Sequence, residues 1–510
     1  MTSQTAAAAL PAHVPVLVVG AGFAGLGMAI QLDGSGHPDF LVVDNGDTVG
    51  GTWRDNTYPG AACDVPSQLY SFSFAPNPSW SRSFSPQPEI QAYLEDVARQ
   101  SGVLDRFRFG VTVQDAAWDE TDQRWTVVTS AGTVTADVVV TGAGGLSEPK
   151  LPDIKGIDGF TGEIFHSARW NHDYDLTGKR VAVIGTGASS IQIVPEVARQ
   201  AAHLDVYQRT APWVMPRHDR EYGGLERFLL RHVPGLQRLY RTAIYWGREC
   251  YVPGFTWNPR LAAPAQRMAL KNIEKGISDP ELRKAVTPTF QIGCKRILIS
   301  NTYYPALDRD NVELVTEGIA EITPTGIVTR DGTHREVDAI VVATGFHTTD
   351  QPIAHHVKGR DGITLADAWR ETGQTAYKGT TISGFPNLFQ IVGPNTGLGH
   401  SSMVFIIESQ IAYILAALQT MRERGIVALE PRVEAQRAWN EDLQRRMQRT
   451  VWSTGGCASW YLDEHGKNTT LWPRTTFTFR QLLRDFDVEE YVVTAQGADH
   501  QQDTDKEQVA

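Results

Sequence analysis

Two glycine-rich turns announce the chemistry of this chain: Gly20-Ala21-Gly22-Phe23-Ala24-Gly25 and Gly185-Thr186-Gly187-Ala188-Ser189-Ser190. Each closes a strand-like run, Val14 to Val19 and Arg180 to Ile184, and each leads into a segment of helical character. Glycines in this pattern let backbone come close to a pyrophosphate, which then rests on the N–H groups of a helix start. One such turn could belong to many unrelated dehydrogenases. Two in one chain imply that electrons pass between two bound dinucleotides, so the chemistry is redox.

The two copies end differently. About twenty residues past the first glycines, Asp44 closes the strand Phe40 to Asp44, where an acid accepts adenosine ribose hydroxyls. The second copy resumes as a strand at Leu204 to Gln208 and carries Gln208-Arg209-Thr210. Arg209 there can pair with the extra 2′-phosphate of NADP. Thr186, Ala188, Ser189 and Gln208 complete the candidate contacts of that turn, with Ser190 in place of the third glycine.

These motifs require an α/β fold with two dinucleotide-binding, Rossmann-like domains and a helical insertion in the second. At 510 residues the chain is too long for a single ordinary core. The expected division is a FAD-binding domain at 1–145, resumed at 346–494, and an NADP-binding domain at 146–222, resumed at 288–345. The insertion occupies 223–287, and a Gln- and Asp-rich tail at 495–510 is expected to be disordered. Val111 to Val140 alternates apolar and polar residues, as a small antiparallel meander does. In the insertion, Leu225, Phe228, Leu229, Leu236, Leu239 and Ile244 recur at helical spacing, and this stripe is expected to be core. Phe389 to Val392 runs into Gly393-Pro-Asn395-Thr-Gly397-Leu-Gly399-His400 ahead of a long helix, which offers backbone N–H groups to an electron-rich ligand edge.

A net charge of −11 gives no clustered cationic surface of the kind nucleic acid requires. The cysteines at 63, 250, 294 and 457 form no CxxC pair, so reduced thiols and a cytoplasmic location are expected. Met403 to Met421 is interrupted by Glu408, Ser409 and Gln410, which suits a buried helix, and no membrane span is expected. His355-His356 and the His166/His172 pair lack metal-ligand spacing, and no metal site is expected.

Two further segments, Gly51-Thr52-Trp53-Arg-Asp55-Asn-Thr-Tyr58-Pro-Gly60-Ala-Ala-Cys-Asp64 and Phe160-x-Gly162-x-x-x-His166-x-x-x-Trp170, carry a family resemblance. The chain resembles the single-component flavin-dependent Baeyer–Villiger monooxygenases, with Asn171 where that family usually has Pro or Asp. The resemblance implies that FAD is reduced by NADPH, that the flavin captures O2 as a peroxide, and that the peroxide attacks a small-molecule ketone to give an ester or lactone. It implies that Thr52, Trp53, Asp55 and Tyr70 belong to the flavin site. By the same match, Arg296 of Gly293-Cys294-Lys295-Arg296 would hold the anionic oxygen species, Asp64 would pair with it, and Lys295 would help Arg209 with the 2′-phosphate. Taken alone, Lys295-Arg296 is an ordinary solvated basic pair and Asp64 an ordinary turn residue. His166 and Trp170 are assigned to coupling between lobes, since a nicotinamide that stays bound between steps implies rearrangement. Trp460 lies either near the substrate or in the core. Oxidation of sulfides or amines is the alternative activity, and a non-catalytic nucleotide-sensing flavoprotein is a more distant one.

Overall fold

The computed structural model describes residues 9–37 and 39–495. Two parallel β-sheets organise it, each grown around one glycine turn. In the first, His13–Val19 lies between Phe40–Asp44 and Gly132–Thr141, parallel to both. Their side chains are buried almost throughout, which is why they read as continuous apolar runs rather than as alternation. Phe107–Phe109 continues one edge. The antiparallel strands Val113–Asp119 and Arg124–Thr129 extend the other edge beyond Gly132–Thr141. Two short strands from the last third, Val357–Lys358 and Leu388–Gln390, pair with Val113–Asp119 and Gly132–Thr141 of the same sheet.

The second sheet is wholly parallel, in the order Val312–Val315, His203–Tyr207, Arg180–Ile184, Ala339–Val342, Glu163–His166. The long helix Met403–Arg424 is mostly buried and packs on helix Phe23–Gly34 of the first lobe. By length and composition it could cross a membrane, but its burial inside the molecule accounts for its apolar character.

Three expectations are corrected. Ala495 is the last residue of a strand, Tyr491–Ala495, paired antiparallel with Ile426–Pro431. Its neighbours Val492 and Val493 suit a strand, and the remainder of the expected tail, 496–510, lies outside the described residues. Cys294 and Cys457 are joined in a disulfide across 163 residues, so only Cys63 and Cys250 are free thiols. Sequence spacing holds no information about a pairing that tertiary structure creates. The apolar stripe of the insertion is core only in part: Ile244 packs against the core of the first lobe, whereas Leu225, Phe228, Leu229 and Leu239 face solvent on helices Gly224–His232 and Leu236–Glu249. The second of these helices is also anchored by its polar side, where Arg241 donates to Gln68 O, Ser71 O and Ser71 Oγ.

Candidate active site

At the first turn, close packing leaves no room for a side chain at Gly20 or Gly25, while Gly22 lies under the Gly50–Gly51 backbone at ordinary contact distance. Gly20 has φ +106°, and a Cβ there would lie 2.7 Å from Gly142 O; a Cβ on Gly25 would come within 1.6 Å of Gly20 O. The Gly50–Gly51 turn closes over this one, with Gly50 N donating to Ala21 O at 2.9 Å. A Cβ on Gly51 would sit 3.0 Å from the Gly22 Cα. This all-glycine cradle, at the C-terminal ends of parallel strands and at the start of Phe23–Gly34, fits a dinucleotide pyrophosphate. Asp44 is already well occupied: Oδ2 accepts from Ala21 N at 2.7 Å, and Oδ1 accepts from Gly46 N at 2.8 Å and Arg54 Nη1 at 2.6 Å. Arg54 also holds Asp55 at 2.8 Å. Thr52 begins the short helix Thr52–Asp55, and the Trp53 indole N–H donates to Tyr70 OH at 3.0 Å.

The strand Leu388–Gln390 ends at the same edge of the sheet and leads into the 393–402 turn. Val392 stands at φ +63°, a left-handed conformation that a β-branched residue rarely adopts, and Asn395 stands at +55°. The Asn395 amide holds Asn468 O and Leu471 O at 2.9 and 3.0 Å. Asn395 Oδ1, Gln390 Oε1 and Ser401 Oγ are buried without a hydrogen-bond partner, as befits groups completed by a ligand.

The second turn is more open. Gly185 has φ +119° and its Cβ would strike Ala343 O at 2.4 Å, whereas Gly187 has no atom within 4 Å of an added Cβ. Ser190 Oγ donates to Gly185 O at 2.6 Å, so its hydroxyl closes the turn at the third glycine's place. Thr186 Oγ1 donates to Thr210 O at 3.1 Å, while Ala188 is exposed and Ser189 partly so. Gln208 is buried just past the strand end, its amide donating to Ala285 O at 2.8 Å. Arg209 is exposed, and it lies near enough to Lys295 to act on its charge. Burial and then Arg209 hold the Lys295 ammonium below its ordinary pKa. Among the described residues neither cation is paired with an acid, so a dianion such as a 2′-phosphate fits between them.

Between the turns lies an ion pair from residues 232 positions apart. Arg296 Nη2 and Nε donate to Asp64 Oδ2 at 2.6 and 3.0 Å. The short strand Leu298–Ile299, parallel to Val214–Met215, fixes the backbone just beyond Arg296. Burial is the largest single influence on the Asp64 carboxyl and pushes it upward, but the charge and hydrogen bonds of Arg296, with Arg248 behind it, together bring it below its ordinary pKa. The Asp64 charge in turn raises Arg296, against the effect of burial. Arg296 is therefore cationic at any working pH.

Three neighbours of this pair were not singled out by the sequence. Arg217 Nη2 donates to Cys63 O at 3.1 Å and to Phe84 O at 3.2 Å, and Arg248 Nη2 donates to Asp64 O at 3.4 Å. Burial lowers the pKa of both. Tyr461 is fully buried, its phenol pushed up to about 12 by burial with Arg296 and Asp64 acting on it. Its neighbour Trp460 is 45% exposed, which settles against a buried structural role. Arg217 and Arg248 lie in no motif, whereas Tyr461 adjoins the Trp460 that sequence had marked. A cavity of ≈ 410 Å³ lined by Tyr58, Ala62, Phe84, Arg217 and Asp219 opens beside this cluster.

The two lobes meet at Gln192, on helix Ser190–Val197. Its Oε1 accepts from Tyr58 OH at 2.9 Å and Ala62 N at 3.4 Å, and its Nε2 donates to Ala62 O at 2.9 Å. Tyr58 and Ala62 belong to the loop that ends in Asp64. His166 accepts from Ala168 N at Nδ1 and so donates from Nε2 to Gly345 O at 3.0 Å. Trp170 packs edge-on against Phe165. Asn171 donates to Glu163 at 2.7 Å and accepts from Asp173 N. One cluster of metal-capable groups, His203, Asp205 and Glu313, was not foreseen; the Arg335 guanidinium already lies 2.7 Å from Glu313 and 3.9 Å from Asp205.

Comparison with known proteins matches residues 17–224 to the pyridine nucleotide-disulphide oxidoreductase family. A protein of Streptomyces coelicolor named Baeyer-Villiger monooxygenase is 53% identical, with 94% of this chain and 93% of that protein covered. Another of that name from Pseudomonas aeruginosa is 51% identical over 97% of this chain and 93% of its own. The crystal structure of OTEMO in complex with FAD and NADP superposes with a TM-score of 0.85 at 28% identity, covering 94% of this chain and 99% of that one.

Proposed function

The chain belongs to the Baeyer–Villiger monooxygenases, and from that premise we propose that Arg296 and Asp64 are the residues on which its oxygen insertion depends. The protein is an FAD-containing monooxygenase that uses NADPH and O2 to place one oxygen atom beside a ketone carbonyl, giving an ester or lactone. When bound, FAD supplies the redox chemistry, taking a hydride from NADPH and delivering electrons to O2.

The remaining work falls to the chain itself. Arg296 provides a permanent positive charge, which stabilises an oxyanion without donating its proton away. Asp64 holds the guanidinium by two N–H groups, so its direction is set before substrate arrives, and it offsets the cost of a lone buried cation. Arg217 and Arg248 bind the peptide oxygens of Cys63 and Asp64 and so position that carboxylate. Arg209 and Lys295 bind the 2′-phosphate of NADPH, with Gly185, Thr186, Gly187, Ala188, Ser189, Ser190 and Gln208 around its other phosphates and ribose. Gly20, Gly22 and Gly25 take the FAD pyrophosphate, with Asp44, Thr52, Trp53, Asp55 and Tyr70 around it.

Sheet membership supports assigning 1–145 and 346–494 to the FAD domain, 146–222 and 288–345 to the NADP domain, and 223–287 to an insertion. The substrate is a small-molecule ketone, and the cytoplasm, where NADPH is regenerated, is the place we assign to the reaction.

The observation that carries the reading is the Arg296–Asp64 ion pair, set beside the loop that closes over the first glycine turn. The test is to supply the purified yellow protein with NADPH, O2 and linear, cyclic or aromatic ketones. One ester per NADPH consumed is expected. Sulfoxide from a thioether with no ester from any ketone would transfer the site to heteroatom oxidation.

A further inference from the structure

Helix Leu236–Glu249 leaves much of its apolar surface outside. Its inward side packs Tyr240, Ile244 and Tyr245 on the core and is anchored by polar groups: Arg241 is tied to residues 68–71, Arg248 reaches Asp64 O, and the Glu249 carboxylate receives Thr476 N at 3.1 Å and His400 Nε2 at 3.2 Å. Its outward side is apolar, with Leu239 66% and Trp246 50% exposed. The preceding helix Gly224–His232 buries only Leu230 and leaves Leu225 73% and Phe228 56% exposed. Between them runs a groove of ≈ 670 Å³ lined by Leu225, Leu229, Leu236, Leu239 and Ala243. Trp246 carries the surface on to Phe477, 5.7 Å away and also exposed. Water favours the opposite arrangement of an amphipathic helix, and a contiguous apolar patch of this kind marks a surface that something covers.

Charge identifies the cover. The whole chain is acidic at −11, yet residues 224–276 hold nine Lys and Arg against Glu226, Glu249 and Glu274. Two of those three acids are engaged, Glu226 with Arg220 and Glu249 with His400. Arg227, Arg231, Arg238 and Arg260 are exposed, and none of them makes an ion pair with an acid among the described residues. A second copy docked face to face through the same patch would set these cations against each other. An anionic lipid surface answers both features, since its acyl boundary takes leucine and aromatic side chains and its headgroups take arginine.

We propose that this face docks the enzyme on an anionic bilayer surface, without spanning it. The test is co-sedimentation of the FAD-loaded, full-length protein with vesicles of phosphatidylcholine alone or phosphatidylcholine mixed with phosphatidylglycerol. Sedimentation with the mixed vesicles, weak with the neutral ones and reversed by salt, is the expected result. The double variant Leu225→Glu with Leu239→Glu is expected to lower the vesicle partition coefficient by about tenfold or more. Its flavin content and vesicle-free NADPH oxidation should match the wild type, which shows that it folds. No binding to either vesicle, or equal binding to both, overturns the proposal. So does a wild-type dimer by light scattering that the double variant splits, which would make the face a protein interface.

Discussion

The two nucleotide turns share a topology and differ in how tightly they are built. At the first, backbone crowds Gly20 and Gly25, the Gly50–Gly51 turn covers Gly22, and Asp44 is locked by Arg54 and two backbone N–H groups. At the second, Gly187 borders open space, a serine hydroxyl replaces a glycine, and Arg209 and Lys295 have no acid partner among the described residues. The first is a fitted socket for a ligand that stays. The second relies on charge, which suits a ligand that arrives and leaves at each turnover. A molecule that must keep one nucleotide and exchange the other needs this asymmetry.

The strongest challenge lies where the two sites meet. Replacing Arg296 with Ala should abolish ester formation while NADPH oxidation continues, the electrons ending in hydrogen peroxide. A unit charge ~4 Å away at an effective dielectric of ~20 is worth roughly 4 kcal/mol, and partial solvent access trims this toward a hundred- to thousandfold in rate. Product and peroxide yields measured together decide it. If ester formation survives, the two sites cooperate through some other group.

Next, the sockets themselves should respond unequally to one methyl group. Gly25→Ala is expected to yield protein with little or no bound flavin, since the new Cβ meets Gly20 O at 1.6 Å. Gly187→Ala, with nothing within 4 Å, should keep its flavin and change the KM for NADPH only slightly. The ratio of visible to ultraviolet absorbance reads the first effect and steady-state kinetics the second. Equal sensitivity would dissolve the contrast drawn above.

Arg209→Ala and Lys295→Ala should each raise the KM for NADPH by about tenfold, with kcat little changed and discrimination against NADH reduced. The pH dependence has a definite sign. Because free Lys295 releases its proton below the ordinary lysine pKa, affinity for NADPH should fall as pH rises through that lowered value. The fall should disappear in Lys295→Ala.

Asp64→Asn should lower coupling by about tenfold, well short of the Arg296→Ala effect, because the charge of Arg296 remains and only its aim is loosened. In stability the sign is also fixed. Asp64 sits below its ordinary pKa in the folded protein, so the pair stabilises above the ordinary carboxylate range and its contribution fades as pH falls through the lowered value. Acid unfolding of Asp64→Asn should lack that component.

What could be read from residues alone follows from how local each requirement is. The glycine turns and the parallel strands around them are short-range: a strand, a turn too tight for Cβ, a helix. The place of Arg209 was readable for the same reason, two residues past the end of the strand His203–Tyr207. The Arg296–Asp64 pair joins positions 232 apart and was reached through resemblance, not spacing. Arg217 and Arg248 went unseen because they serve peptide oxygens, and any residue type leaves those in the same place. Cys294 and Cys457 illustrate the same limit at a separation of 163. The insertion failed in another way. Its periodicity correctly showed apolar residues at helical spacing, but periodicity does not say which of them meet the core: Ile244 does, whereas Leu225, Phe228, Leu229 and Leu239 lie outward.

Gln192 deserves a last consideration, because a single carboxamide grips the other lobe at both of its ends. Three hydrogen bonds at roughly 1 kcal/mol each would hold any parted arrangement of the lobes to about one molecule in a hundred, were nothing else to resist. The residue also stands just two places beyond Ser190, on the helix that follows the second glycine turn, and its grip ends two residues short of Asp64. The second glycine turn and the loop that carries Asp64 are thereby tied through one side chain, so the two lobes share a latch beside the ion pair.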